Sequence, residues 1–300
     1  MLSGKQWKAG AILRLAGSLF FSGYSGALAL AVFHQESLAG KGKVRAYALA
    51  TGAFICFGVS LVLLWKQWRL ERALRGLIAL LLWSYTGIFL GAWALKSTDP
   101  VGPSVIQLVV AALSFQGAAL IFVNFFLREH QTNWKEAFGF GHQWPQAIML
   151  GIILAGVFLP LGWGLQWLSA KVMVHLPRLH LKPEEQQAVQ TLQQASALLP
   201  RVALAAITIV LAPVAEEILF RGILYPWIKQ AGFPQLALWV SALIFAAVHA
   251  NMMTFLPLAV LALALTYLYE KTDNLLAPIT AHAVFNGMNF MALYYVLPGN

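Results

Sequence analysis

Residues 202–227 read VALAAITIVLAPVAEEILFRGILYPW, and this stretch decides how the whole chain is understood. It is long enough to cross a bilayer, since a spanning helix needs about 20 mostly apolar residues. Its middle nevertheless holds Glu216, Glu217 and Arg221. An ionised side chain at mid-membrane costs roughly 2.5–3.5 kcal/mol on insertion scales. Such groups persist when they pair with one another or face a wet cavity.

Helical geometry separates the two glutamates. Side chains four apart lie on one face, while neighbours are turned by about 100°. Glu217 therefore shares a face with Arg221, in the favourable acid-before-base order. That pair reads as structural, with the guanidinium holding the carboxylate in place. Glu216 points elsewhere and has no basic partner on its own helix. It is the free carboxylate and the candidate general base. Pro213, one turn upstream, removes a backbone hydrogen bond and is expected to kink or loosen the helix beside it.

The rest of the chain agrees with a membrane setting. Of its 300 residues 60% are hydrophobic and 10% charged, against about 25% charged in a soluble domain. The net charge of +9 sits largely in short clusters between apolar runs, such as Lys41, Lys43 and Arg45, then Lys66, Arg69, Arg72 and Arg75. Charge placed that way fixes topology and meets anionic lipid; it argues for a lipid bilayer as partner and against nucleic acid. The single cysteine, Cys56, excludes an intramolecular disulfide and a cysteine-rich metal site, and reads as a small buried hydrophobe. Lys5 and Lys8 before an apolar stretch, with Ala29-Leu30-Ala31 further on, resemble a signal peptide. The stretch is longer than a usual signal core and carries Arg14, so a retained first helix is expected.

Candidate spans are residues 9–33, 46–65, 76–95, 104–127, 146–169, 202–227, 235–250, 255–269 and 275–297. The expected fold is an all-α polytopic membrane bundle of about eight or nine transmembrane helices. Residues 235–250 and 255–269 look short for a full span. Residues 97–103 read as a tight turn, and 128–145 as a polar link suited to an interface. Within the polar segment 170–200, Pro183, Glu184 and Glu185 signal a helix start. Leu192, Ala195, Leu198 and Leu199 would form one apolar face of that helix, which reads as a solvated connector or as a lid. Before Pro200 the membrane runs are almost free of ionisable groups, and after it they are not. The expected division is therefore 1–200, membrane helices plus the polar connector helix, and 201–300, the functional core.

Of eleven acidic residues only Glu216 and Glu217 fall well inside an apolar run, and of seven histidines only His249 and His282 belong to apolar segments. FAAVH places Phe245 and His249 four apart, and HAVFN does the same for His282 and Asn286. A carboxylate can take a proton from water and a histidine can orient that water. A second histidine and a carboxamide can donate hydrogen bonds to an oxyanion. Such groups from separate membrane segments make a hydrolytic set. Buried Glu and His are also parts of proton relays, so a proton-coupled carrier is the alternative, as is a non-catalytic membrane scaffold.

EEILFR, FAAVH and HAVFN fit E-E-x-x-x-R, F-x-x-x-H and H-x-x-x-N in that order. The set resembles the family of CAAX prenyl proteases and bacteriocin-processing enzymes, also called the CPBP or Abi family, over about residues 202–289. The resemblance implies an intramembrane endopeptidase acting on a peptide or protein substrate at the membrane. By that likeness Glu216 activates water, His249 helps position it, and His282 with Asn286 forms the oxyanion site. Glu217, Arg221 and Phe245 support them. The family has been described both as glutamate-dependent and as metal-dependent. The chain has no H-E-x-x-H. Glu216, His249 and His282 are the zinc set if a metal is used. Glu217, the base such a site would then need, is tied to Arg221, so no cofactor is expected. The implied location is a multi-pass integral membrane protein, in the plasma or inner membrane if the host is a prokaryote.

Overall fold

The computed structural model describes residues 7–36, 51–52, 55, 105–175, 186–194 and 198–295. The expected spans 76–95 and, except for three residues, 46–65 lie outside the described residues. So do Cys56, the turn at 97–103, and Pro183, Glu184 and Glu185. Among the described residues all regular structure is helical, and four helices are long and apolar enough to cross a membrane. The chain is an all-α membrane helix bundle.

Packing divides the chain into two units, residues 8–126 and residues 127–300 together with 1–7. The expected division at residue 200 lies inside the latter. In the first unit, α1 (Ala9–Glu36) packs on the start of α2 (Gln107–Glu129). Ser18 and Ser22, one turn apart, are buried, and the Ser22 hydroxyl donates to the Ser114 carbonyl at 2.9 Å. Small hydroxyl residues let membrane helices approach and bond in this way. Ser114 lies in Leu113–Gly117, a turn wound more widely than an α-helix, where the Ala118 amide reaches back to Leu113. Widening diverts the amide that Ser114 would otherwise receive, and the Ser22 hydroxyl replaces it.

The larger unit holds the short helix α3 (Trp134–Phe138), α4 (Trp144–His175), α5 (Gln187–Gln194), α6 (Leu198–Gln230), α7 (Pro234–Ala247), α8 (Met252–Thr272) and α9 (Leu276–Tyr295). In α4, Ala147, Gly151, Ala155, Phe158 and Gly162 recur at helical spacing and are buried, and α4 packs on α8 and α9. Gly151 is required: a Cβ there would stand 2.5 Å from the Ala277 carbonyl oxygen of α9. The opposite face exposes Ile152, Ile153, Val157 and Leu161, a surface suited to lipid. The start of α9 is fixed by Asn274. Its carbonyl oxygen accepts from the Leu276 amide at 2.9 Å and its amide donates to the His142 carbonyl at 2.5 Å. The Leu275 amide bonds the Phe138 carbonyl at 2.9 Å.

Two expectations change. The run read as 255–269 is the helix Met252–Thr272, which is long enough to span. Sequence counting stops at the polar residues that begin and end it. Leu198 and Leu199 do not continue the face of Leu192. They open α6 and are exposed, whereas Leu192 is buried in α5. Ala195 lies outside the described residues. The run 235–250 is short as expected: α7 has 14 residues and rises about 21 Å, less than the roughly 30 Å of hydrocarbon.

Candidate active site

α6 carries the acids, α7 and the turn after it carry Phe245 and His249, and α9 carries His282 and Asn286. Two prolines shape α6. The turn Ile207–Leu211 before Pro213 and the turn Ile218–Leu224 before Pro226 are both widened. A proline ring crowds the carbonyl one turn back and brings no amide hydrogen. A locally wider helix relieves the crowding. In the first of these turns the Ala212 amide donates to Ile207, and residue 213 has no N–H, so the Thr208 carbonyl loses its helical donor. Asn286 supplies one from α9, Nδ2 to Thr208 O at 2.9 Å. The looseness expected near Pro213 is thus a defined widening, bridged to α9.

The second wide turn holds Arg221, which is 1% exposed beside Glu217 at 0%. Arg221 Nη1 donates to Glu217 Oε1 at 2.8 Å, Nη2 to the Ala262 carbonyl at 3.1 Å and Nε to Thr266 Oγ1 at 3.4 Å. The guanidinium also lies over the Phe245 ring, 4.5 Å from its centroid, a cation–π contact. Two buried charges thus meet in a hydrogen-bonded pair, as burial demands. Glu217 Oε1 accepts a further hydrogen bond from His282 Nδ1 at 2.8 Å. Phe245 packs edge-on against the His282 ring, with centroids 5.7 Å apart, and tilts against His249 at 4.9 Å.

These partners fix both imidazoles. A carbonyl only accepts, so His249 Nδ1, 2.7 Å from the Phe245 carbonyl, carries a hydrogen. An arginine-paired carboxylate only accepts, so His282 Nδ1 carries one too. Both Nε2 atoms then face Glu216, each 3.9 Å from its Oε2. That exceeds hydrogen-bond length and suits a bridge through a third group. The Glu216 and His249 side chains keep 14% and 21% of their surface, against 0% for Glu217. Glu216 and His249 are therefore the reachable side of the cluster, and Glu217 the sealed side.

The structure brings together Glu216, His249 and His282, and beneath them Glu217, Arg221 and Phe245. Asn286 joins through the backbone of α6, not through a bond to the imidazoles. Sequence reasoning missed Thr266, the Ala262 carbonyl and Thr208. Only Thr266 leaves a trace, as the lone threonine in LALALTYLY. A tetrahedral zinc site with bonds near ~2.05 Å has ligand atoms about 3.3 Å apart. Both Glu216–imidazole separations are wider. Among the described residues no group of three His, Cys, Asp or Glu side chains is arranged to hold a metal.

Residues 198–288 match the family model described as type II CAAX prenyl endopeptidase Rce1-like. Glu216, Glu217, Arg221, Phe245, His249, His282 and Asn286 all lie in that segment. Two curated relatives match part of the chain. The uncharacterized protein YpbD of Bacillus subtilis (strain 168) is 36% identical over 78 residues, 25% of this chain and 37% of that protein. UPF0177 protein YaiF of Lactococcus lactis subsp. lactis (strain IL1403) is 33% identical over 86 residues, 27% of this chain and 37% of that protein. The chain thus spans little more than a third of the length of either. No solved structure matches it.

Proposed function

We propose, from this similarity to CAAX prenyl endopeptidases, that the protein is a multi-pass intramembrane endopeptidase whose Glu216 activates water. The observation that carries the mechanism is that Glu216 Oε2 lies 3.9 Å from the Nε2 atom of each of two imidazoles. One water at hydrogen-bonding distance spans both gaps. Glu216 takes its proton as the oxygen attacks the peptide carbonyl, and His249, held by the Phe245 carbonyl, orients it. Bond formation to carbon turns the carbonyl into an oxyanion. His282, held by Glu217 through Nδ1, turns Nε2 toward the place where that oxyanion forms. Asn286 spends one amide hydrogen on Thr208 and has a second for the oxyanion. Glu216 then returns the proton to the leaving amine, and the peptide bond breaks.

No step of this proposal is routed through a metal; the 3.9 Å Glu216–imidazole separations favour a bridging water. The substrate is a peptide or protein at the membrane. The protein resides in the lipid bilayer, in the plasma or inner membrane if its host is a prokaryote. The competing carrier reading rests on the same buried Glu and His.

The test is reconstitution in liposomes with membrane-tethered peptides, read by mass spectrometry beside a pH-sensitive dye. Cleavage should occur, fall by at least ~10³-fold in Glu216→Gln, and proceed without proton-linked flux. Flux that depends on Glu216 in the absence of cleavage would overturn the proposal in favour of the carrier.

A further inference from the structure

Pro226 leaves the Gly222 carbonyl without its α-helical donor. Tyr225 donates back to Phe220, and Gly222 would receive residue 226, which is proline. The donor comes from the N-terminal segment. Trp7 is buried, and its indole Nε1 donates to the Gly222 carbonyl at 3.1 Å. Its backbone amide reaches Gln230 Oε1 at the end of α6 at 3.4 Å, and its ring meets His130 edge-on with centroids 5.0 Å apart. From another side Phe138, fully buried, closes on Gly222 so tightly that a Cβ there would stand 2.7 Å from its ring. The turn held in this way is the one that carries Arg221, the residue that grips Glu217 and through it His282.

We propose that Trp7 is a positioning residue of the active site, acting through the Gly222 carbonyl on Arg221. It lies far outside the segment 198–288 that carries the family match. An indole N–H replaces the amide that Pro226 lacks, which keeps the wide turn from relaxing and the guanidinium from shifting off Glu217 and Phe245. The inference rests on the endopeptidase proposal for its kinetic consequence, but not for its geometry.

The test uses the full chain in nanodiscs, with two readouts. One is the Arg221 Nε–H resonance, assigned with Arg221→Lys. The other is kcat and KM on a peptide whose cleavage Glu216→Gln abolishes. Trp7→Phe, which keeps a ring but loses the N–H, should move the Arg221 resonance. It should also lower kcat about five- to tenfold with KM unchanged, the worth of one buried hydrogen bond. Pro226→Ala restores a backbone N–H. In that background Trp7→Phe should change kcat by a factor of about one, and the resonance should stay in place. If Trp7→Phe does not fold, a sulfur isostere of tryptophan (benzothienylalanine) at residue 7 deletes only the N–H and must give the same two effects. An unmoved Arg221 resonance, or a loss that Pro226→Ala leaves undiminished, overturns the proposal. Should Glu216→Gln retain activity, the endopeptidase proposal fails instead, and the resonance alone decides the role of Trp7.

Discussion

Glu216 and Glu217 are adjacent and chemically identical, yet their surroundings divide the work. Glu217 has no exposed surface and a guanidinium at 2.8 Å, while Glu216 keeps some access and faces two imidazoles at 3.9 Å. Breaking a buried pair strands a charge and costs about 3–5 kcal/mol. Arg221→Met should therefore destabilise by about that amount, measured by unfolding in mild detergent, and should abolish cleavage as well. Glu216→Gln should leave stability within about 1 kcal/mol of wild type, because it removes a partly exposed group outside the buried pair. A large loss of stability in Glu216→Gln would make that residue structural. The division between the glutamates was legible in sequence, because Glu217–Arg221 is a local relation on one helix. The clamp on Arg221 was not. Thr266 and the Ala262 carbonyl are distant in sequence, and a backbone carbonyl carries no residue-specific signal.

At the scale of elements, the recurring device is a widened turn whose freed carbonyl is served by a side chain from elsewhere. Ser22 serves Ser114, Asn286 serves Thr208, and Trp7 serves Gly222. Pro213 announced a disturbed helix, but not its form. Which turn widens depends on the donor that a neighbouring helix presents, and that is tertiary information. Pro213→Ala restores an amide beside Thr208 and favours a regular α turn. Closing the turn by one residue rotates the two halves of α6 against each other by about 100°. The expected result is cleavage reduced by about 100-fold or more, since misplacement by an ångström can cost that much. Unaltered cleavage would show that the wide turn does not position Glu216.

On the scale of the whole molecule, composition alone disclosed a membrane bundle, and the spans 9–33, 146–169, 202–227 and 275–297 each found a helix. Length was less legible at 255–269, because Thr254 and the polar residues 270–272 resemble helix ends. Residue 252 is instead placed by the Asn251 cap, whose side chain accepts from the Thr254 amide at 3.0 Å. The short α7 matters for function. It ends at Ala247 and leaves His249 in the turn beyond, where the Phe245 carbonyl satisfies its Nδ1. Metal dependence is also a property of the whole purified protein. Activity should survive exhaustive chelation with less than stoichiometric zinc, and stoichiometric zinc lost together with activity would reverse that expectation.

The central claim is that Glu216, His249 and His282 share one water inside the bilayer. The most direct measurement is an experimental map of the protein in lipid, sharp enough for solvent and collected across the zinc absorption edge. The account predicts a single ordered solvent atom within about 3.2 Å of Glu216 Oε2 and of at least one imidazole Nε2, with no anomalous signal. An anomalous peak bonded to all three side chains at about 2 Å, or a glutamate turned away from both rings, would contradict it.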